Sequence, residues 1–147
     1  MRRLAVELSK IASDLRLLSM RHGVRDRVEC VQGDLLTPLT GRFDLIVANP
    51  PYVAVGSRTA LQPEVRNFEP ETALFGGTDG LEIIRRLVRG APACLNQDGY
   101  LMFEFGDGQE ADVSELIAAS EDLRLVDVKR DLQGIERIAI VRPKTEA

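Results

Sequence analysis

The chain has 147 residues, of which 44% are hydrophobic and 29% charged, so it can build one globular domain with a core. A net charge of −4 without a Lys/Arg block gives no electrostatic support for binding nucleic acid. No run approaches the roughly 18 apolar residues of a membrane span, and Glu7 comes too early for a signal peptide. The two isolated cysteines and one histidine form no metal-ligand pattern. These features predict a cytoplasmic protein without a metal site.

The first part of the chain predicts strands alternating with a helix. Residues 4–8 form a short apolar segment, which predicts a strand. Apolar residues then recur at helical spacing up to Gly23, which predicts a helix. Residues 27–32 alternate like a strand, and residues 43–48 form an apolar run typical of a buried strand. The segment 53–79 has no period and is interrupted by prolines and glycines, which is typical of a functional loop.

The second part predicts more of the same alternation. A helix is expected from about residue 80 to 95, although Pro92 should end or kink it. Residues 100–105 indicate a strand, and a further helix follows. Two late strands, 123–128 and 137–141, have a short connection and should pair antiparallel. The pattern is typical of an α/β fold whose mostly parallel sheet has helices on both faces.

Polar residues interrupt the apolar pattern where the predicted strands end. These residues are Glu7, Asp34, Asn49 and Glu104. In open parallel sheets, ligands bind beyond the carboxyl ends of the strands. We therefore expect a functional site at this edge of the sheet.

Several separated motifs resemble the HemK-type release-factor glutamine methyltransferases, which use S-adenosylmethionine. The motifs are Asn49-Pro50-Pro51-Tyr52, Phe68-Glu69-Pro70 with Thr72-Ala73-Leu74, Gly76 through Leu81, Glu104-Phe105-Gly106 with Gln109, and Asp131 through Gly134 leading to Arg137. Enzymes that methylate amino groups of DNA, RNA and protein share the first motif, and the others narrow the resemblance to this family. It implies a Rossmann-like class I methyltransferase sheet with an antiparallel C-terminal strand, and a peptide chain release factor as protein substrate.

The resemblance also implies residues that bind cofactor and substrate. Glu7 would take the ribose hydroxyls of S-adenosylmethionine, and Asp34 would accept from the adenine amino group, with the Leu35 backbone beside it. The alternative for Asp34 is an Asx turn without a ligand. Phe68 and Glu69 are expected to shape the mouth of the substrate site.

Methylation of a glutamine amide requires hydrogen-bond acceptors, because positive charge develops on the nitrogen and strengthens its N–H donors. Asn49, through its side-chain oxygen, and the Pro50 carbonyl are two such acceptors, and Asn49 also lies where the cofactor would bind. Pro51 holds the residue before it extended, so the acceptors are positioned before substrate arrives. Tyr52 would pack against the amide or the methyl-sulfonium, a contact worth ~1–2 kcal/mol; the alternative is a loop anchor. Glu104 is expected to support the site through a hydrogen bond.

The family pattern also contains parts that precede the region matched here. They are a helical substrate-docking domain, a first strand and a glycine-rich loop, and no GxGxG-like sequence occurs in the chain. We therefore expect residues 1–147 to form a partial, N-terminally truncated methyltransferase domain. The missing strand would lie between those at 4–8 and 43–48, leaving two unpaired edges that invite self-association. Two alternatives stay open, a catalytically inactive module and an amino-methyltransferase acting on a nucleic-acid base.

Overall fold

The computed structural model describes residues 4–8, 31–60 and 70–145. The strands are β1 (Leu4–Leu8), β2 (Phe43–Asn49), β3 (Leu95–Glu104), β4 (Leu123–Arg130) and β5 (Glu136–Pro143). The helices are α1 (Glu71–Leu74), α2 (Glu82–Cys94) and α3 (Glu110–Ala118), with a 3₁₀ helix at Val55–Ala60. The predicted helix after residue 8 lies outside the described residues, as does most of the strand predicted at 27–32. The described end of that strand, Val31 and Gln32, has no strand structure.

The five strands form one sheet in the order β1-β2-β3-β5-β4. Strands β1, β2 and β3 are parallel, whereas β5 runs antiparallel to both of its neighbours, β3 and β4. The short connection between β4 and β5 explains their antiparallel pairing, since parallel strands need a long crossover. The predicted α/β sheet, mostly parallel with an antiparallel C-terminal strand, is confirmed.

Strand β1 pairs directly with β2, from Leu4 opposite Leu45 to Leu8 opposite Asn49. The expectation that these two strands would leave a gap with two unpaired edges is therefore wrong. The physical reason is that ladder bonds come from the backbone, so an extended strand with free N–H and C=O groups can pair with any suitable neighbour. Consequently, the carboxyl ends of β1 and β2 lie side by side.

Helix α2 packs its apolar stripe into the core. The stripe consists of Ile84, Leu87, Val88 and Ala91, together with the N-cap residue Leu81, and all five are buried. This spacing places them on one side of a helix with 3.6 residues per turn. They share a single core cluster with buried residues of β2, β3, α3 and β5. The core thus fixes α2 against the sheet. The helix begins shortly after the segment 53–79, which was predicted to be a functional loop.

Helix α2 continues two residues beyond Pro92, close to the predicted bounds of about 80 to 95, so Pro92 does not end it and a kink at this residue stays a prediction. Proline removes one helical hydrogen bond, but the carbonyls of the last turn have no helical partner in any case. The Arg42 guanidinium donates to the carbonyl oxygens of Pro92, at 3.2 Å, and Leu95. Arg42 therefore stabilises the end of the helix from outside. Within the described ranges, no helix has the length and apolar character needed to cross a membrane.

Candidate active site

The acceptor turn, residues 49–52, lies at the carboxyl end of β2. Asn49 is exposed, whereas Pro50 is completely buried. The Asn49 side chain has no hydrogen-bond partner among the described residues. The turn therefore presents a polar side chain from a rigid, buried anchor.

The Tyr52 side chain anchors the far end of the turn. Its hydroxyl donates to Glu104 Oε1 at 2.8 Å, and the ring packs against the core cluster. Burial and then the hydrogen bond to Glu104 raise the pKa of Tyr52 to about 12. The phenol therefore stays protonated and acts as a donor at neutral pH. This geometry supports the loop-anchor alternative, and a contact between Tyr52 and substrate stays a prediction.

Gln109 joins the acceptor turn to two other segments. Its Oε1 accepts from the Gly106 N–H at 2.7 Å, and its Nε2 donates to the Tyr52 carbonyl at 3.0 Å. The same Nε2 reaches the Asp79 carbonyl at 3.4 Å. One side-chain amide thus connects the turn, the end of β3 and the loop before α2.

Two glycines provide the space for this amide. A Cβ on Gly106 would come within 2.8 Å of Gln109 Oε1, and one on Gly80 within 2.3 Å of the Tyr52 carbonyl oxygen. Gly80 also has a positive φ of 79°, a conformation that residues with a Cβ rarely adopt. A side chain at either position would therefore displace the contacts of Gln109.

The segment before α2 holds the residues that follow the turn. Val53 N–H donates to the Leu74 carbonyl at 2.9 Å, and Gly76 N–H donates to the Val53 carbonyl at 3.0 Å. Val53 and Phe75 form an isolated parallel bridge. The predicted irregular loop therefore contains a short strand-like contact that fixes the exit from the acceptor turn.

Asp79 holds the loop at the start of α2. Its carboxylate accepts from the Leu81 N–H at 3.0 Å and forms an ion pair with Arg85 at 2.5 Å. The hydrogen bond from Arg85, followed by that from the Leu81 backbone, lowers the pKa of Asp79 to about 2. Asp79 is therefore charged at neutral pH and forms an Asx turn with Leu81, the N-cap residue of α2.

The turn between β4 and β5 supports the site from the other side. Arg137 donates to Asp131 at 3.3 Å, and its carbonyl accepts from the Phe105 N–H at 2.9 Å. Hydrogen bonds lower the pKa of Asp131 below its usual range. They come from the backbone N–H groups of Ile135 and Gln133 and from the Arg137 side chain. The family-like motif at 131–137 thus fixes the strand end that carries Glu104.

The sheet register brings three of the predicted polar positions to one edge. Glu7 is paired with Ala48, and β1 ends with Leu8 opposite Asn49. On the other side, Ala48 is paired with Phe103, the residue before Glu104. The backbone positions of Glu7, Asn49 and Glu104 therefore meet at the carboxyl edge of adjacent strands.

Asp34 and Leu35 lie elsewhere, against α2. The Asp34 carboxylate forms an ion pair with Arg86, and Leu35 adopts a positive φ of 51°. Leu35, Thr37 and Arg86 line an open cleft of about 340 Å³. No described contact joins Asp34 or Leu35 to the acceptor turn, and their cofactor roles stay predictions. Phe68 and Glu69 lie outside the described residues.

Sequence reasoning named Gln109 only as part of a family-like motif and assigned it no role. The available signal was its position three residues after Gly106, at the start of a predicted helix. That spacing lets a side chain reach back to the Gly106 N–H, as in reciprocal capping at helix starts. The contact with Tyr52 spans 57 residues and could not be inferred from local spacing.

Solved structures with a similar fold identify the fold of this chain. The ribosomal protein L11 methylase from Lactobacillus delbrueckii subsp. bulgaricus has 18% identity and a TM-score of 0.54, covering 97% of this chain and 57% of that chain. The hMettl16 catalytic domain, in complex with the MAT2A 3′UTR hairpin 6, has 15% identity and a TM-score of 0.61. The match covers 95% of this chain and 54% of that chain. Because both identities are low, the likeness concerns the fold alone. The fold is that of the class I methyltransferases.

Curated relatives identify the family more closely. The release factor glutamine methyltransferase of Geobacter sulfurreducens is 52% identical over 119 residues, which are 80% of this chain and 41% of that protein. That of Thermosynechococcus vestitus is 37% identical over 142 residues, 94% of this chain and 49% of that protein. The ribosomal protein uL3 glutamine methyltransferase of Bradyrhizobium diazoefficiens is 45% identical over 108 residues, which are 72% of this chain and 34% of that protein.

The chain belongs to the HemK-type release factor glutamine methyltransferase family. It spans 34–49% of the length of the three relatives described above. No protein-family model matches the chain.

Proposed function

We propose that the chain carries out S-adenosylmethionine-dependent N5-methylation of a glutamine side chain in a protein, a peptide chain release factor. The observation that carries the proposal is the exposed Asn49 amide on a turn whose Pro50 is buried, at the carboxyl edge of the sheet. The names of the relatives support glutamine as the acceptor.

The acceptor turn suits the chemistry of an amide nitrogen. Asn49 Oδ1 and the Pro50 carbonyl would accept the two N–H bonds of the substrate glutamine. These hydrogen bonds strengthen as positive charge develops on the nitrogen, so they stabilise the transition state more than the ground state. The methylated nitrogen, still carrying its extra proton, is strongly acidic and loses that proton to water. No side chain therefore has to act as a general base.

Two positions at the edge support the proposal that S-adenosylmethionine binds here. Glu7 lies beside β2 in register with Ala48, where its carboxylate would hold the ribose hydroxyls, and the exposed Asn49 lies next to it. Asp34 would have to exchange Arg86 for the adenine amino group. When bound, S-adenosylmethionine supplies an electrophilic methyl group.

A non-catalytic binding module is the second candidate function. The observation that favours it is the ion pair between Asp34 and Arg86, which occupies the carboxylate that the family resemblance assigns to adenine. In that case the sheet and the acceptor turn would persist without methyl transfer. Cofactor binding and methyl transfer separate the two candidates.

The test uses the 147-residue chain with S-adenosylmethionine and a purified release factor. We expect cofactor binding in calorimetry with a dissociation constant in the range of about 1–100 μM, and a release factor heavier by one methyl group in mass spectrometry. Asn49→Ala should abolish the transfer, because it removes one acceptor.

Asn96→Ala is the matched control. Asn96 donates to Asp44 at 3.0 Å, at the opposite end of the sheet, so transfer should persist in this variant. Absence of both binding and transfer in the unmodified chain would support the non-catalytic candidate. Transfer to a base of DNA or RNA without transfer to glutamine would support the nucleic-acid alternative.

A further inference from the structure

We infer that Gln109 is a positioning residue that sets the orientation of the acceptor turn for methyl transfer. This inference rests on the proposed function and adds a residue to it. The Gln109 amide contacts the Gly106 N–H and the carbonyls of Tyr52 and Asp79, and no hydrogen bond to Asn49 or Pro50 occurs among the described residues. It would act through the Tyr52 carbonyl, to which its side-chain Nε2 donates at 3.0 Å.

The need for such a residue follows from the two prolines. Neither Pro50 nor Pro51 has an N–H, so the backbone of the turn cannot be fixed by donors at these positions. The first fixed points after them are the Tyr52 carbonyl, bonded to Gln109, and the Val53 N–H, bonded to the Leu74 carbonyl. The prolines restrict the backbone torsions of the turn, and the contacts at its far end add the hydrogen bonds that hold the Pro50 carbonyl in one direction.

The Gln109 amide is well suited to this task. It is planar and uses both ends at once, with Oε1 accepting from Gly106 and Nε2 donating to Tyr52. Gly106 also lies close to the Tyr52 ring, since a Cβ there would be 3.2 Å from Tyr52 Cδ2. The glutamine therefore holds the main chain of Tyr52 while Glu104 holds its hydroxyl. Two independent contacts leave little freedom for the turn.

This contact also explains why three motifs that are distant in sequence meet. Gly80 lies so close that a Cβ would be 2.7 Å from Gln109 Nε2, and Asp79 offers its carbonyl to the same nitrogen at 3.4 Å. The segments at 49–52, 76–81 and 104–109 thus surround one amide group. A residue with a side chain at position 80 would push the amide away from Tyr52.

Gln109→Glu tests the inference with almost no change in shape. A carboxylate still accepts from the Gly106 N–H, but it replaces the donor to the Tyr52 carbonyl with a second acceptor. We expect kcat to fall by at least about ten-fold, since small misplacements of reacting groups are costly. The dissociation constant of S-adenosylmethionine should stay within about two-fold.

Gln97→Glu is the matched control, because it makes the same charge change at an exposed position near the start of β3, at the opposite end of the sheet. Its kcat should equal that of the unmodified chain. Gln109→Met is the second variant, which keeps the volume and adds no charge, in case the carboxylate impairs folding. It should lower kcat like Gln109→Glu.

The pH profile provides a readout that a purely structural role would not move. The carboxyl group introduced by Gln109→Glu donates again once it is protonated. The kcat of this variant should therefore recover relative to the unmodified chain as the pH falls toward about 5. Gln109→Met should show no such recovery. The inference is wrong if either variant keeps kcat within about two-fold, or if cofactor affinity falls as much as kcat.

Amide hydrogen exchange tests the inference separately from the proposed function. Exchange of the Val53 amide, whose N–H donates to the Leu74 carbonyl, should speed up by about ten-fold in Gln109→Glu and stay unchanged in Gln97→Glu. Unchanged exchange in both variants would overturn the inference. An unmodified chain without methyl transfer would count against the proposed function only, and the exchange result would still decide the role of Gln109.

Discussion

At the scale of single residues, Tyr52 has the most consequences for the site. Its hydroxyl connects the acceptor turn to Glu104 at the end of the neighbouring strand, a contact that spans 52 residues. Glu104 is half-buried, so removing this donor leaves a carboxylate with poorer hydrogen bonding. The phenol therefore contributes to stability as well as to the position of the turn.

Tyr52→Phe should lower the free energy of unfolding by about 1–2 kcal/mol, because it removes a hydrogen bond to a carboxylate. Urea denaturation followed by circular dichroism measures the loss. Tyr100→Phe is the control, since Tyr100 is half-exposed and its ring lies 5.3 Å from the Arg142 guanidinium, a contact that phenylalanine keeps. Equal losses in the two variants would contradict a specific role for the Tyr52 hydroxyl.

The pKa of Tyr52 predicts a particular sensitivity to alkaline pH. Its value of about 12 in the folded chain exceeds the ordinary value of 10.0, so folding favours the protonated phenol. That contribution is complete below about pH 10 and is lost as the pH rises toward about 12. Relative to Tyr52→Phe, the unmodified chain should lose no more than about 1 kcal/mol, because solvent screens a half-buried group. Urea denaturation of both proteins across this pH range measures the difference, and parallel curves would refute it.

At the scale of single residues, the sequence predicts those features of the site that depend on adjacent residues. The acceptor turn could be predicted because proline rigidity and the Asn49 oxygen are properties of adjacent residues. Two other contacts could not be predicted. Gln109, the donor to the Tyr52 carbonyl, and Arg86, the partner of Asp34, each lie more than 50 residues from the group that they bind. Long-range pairing depends on the whole packing arrangement and leaves no spacing signal.

At the scale of elements, the end of α2 shows how a distant side chain extends a helix. Arg42 precedes β2 in sequence but donates to the carbonyls of Pro92 and Leu95. Helix geometry leaves the carbonyls of the last turn, such as that of Pro92, without partners, and Leu95 is the C-cap residue that also begins β3. The helix can therefore tolerate a proline in its last turn and lead directly into β3.

Arg42→Ala should destabilise the fold by about 1–2 kcal/mol through loss of charged hydrogen bonds to helix carbonyls. Thermal or urea unfolding measures this effect. Arg89→Ala is a control on α2 itself, since Arg89 is exposed and forms no hydrogen bond with the other described residues. A larger loss for Arg89→Ala than for Arg42→Ala would disprove the capping role.

The start of β3 could not be predicted from the sequence. The strand begins at Leu95, five residues before the predicted start at Tyr100. The intervening residues are mostly polar, so they carry no apolar alternation. Leu95 pairs with Phe43, and the register then shifts before Tyr100 pairs with Leu45. Such an irregularity belongs to the pairing of two strands and is not encoded in either strand alone.

At the scale of the whole molecule, the position of β1 determines whether the sheet is continuous. Its pairing with β2 places Glu7 beside the acceptor turn and leaves β2 with neighbours on both sides. The sequence indicated both strands correctly, but it could not indicate which strands are neighbours. Neighbour order in a parallel sheet depends on crossovers, which lack a local sequence signature.

Hydrogen exchange distinguishes a paired from an open edge of β2. Amides within Phe43–Asn49 should all be strongly protected, because successive residues of a central strand donate alternately to the two neighbours. In β4, which has a described partner only in β5, protection should alternate along the strand. Alternating protection in β2 would show that the edge facing β1 is open.

The sheet order also has a consequence for how the chain folds. Strands β4 and β5 are joined by a tight turn, whereas Tyr52 reaches Glu104 and Gln109 across 52 and 57 residues. Local contacts form before those that close long loops, so we expect the β4–β5 hairpin to form early and the acceptor turn to dock late. We expect partial unfolding to follow the reverse order, with the acceptor turn detaching before the hairpin opens. The site would then be the first region to open under stress, while the C-terminal hairpin remains folded.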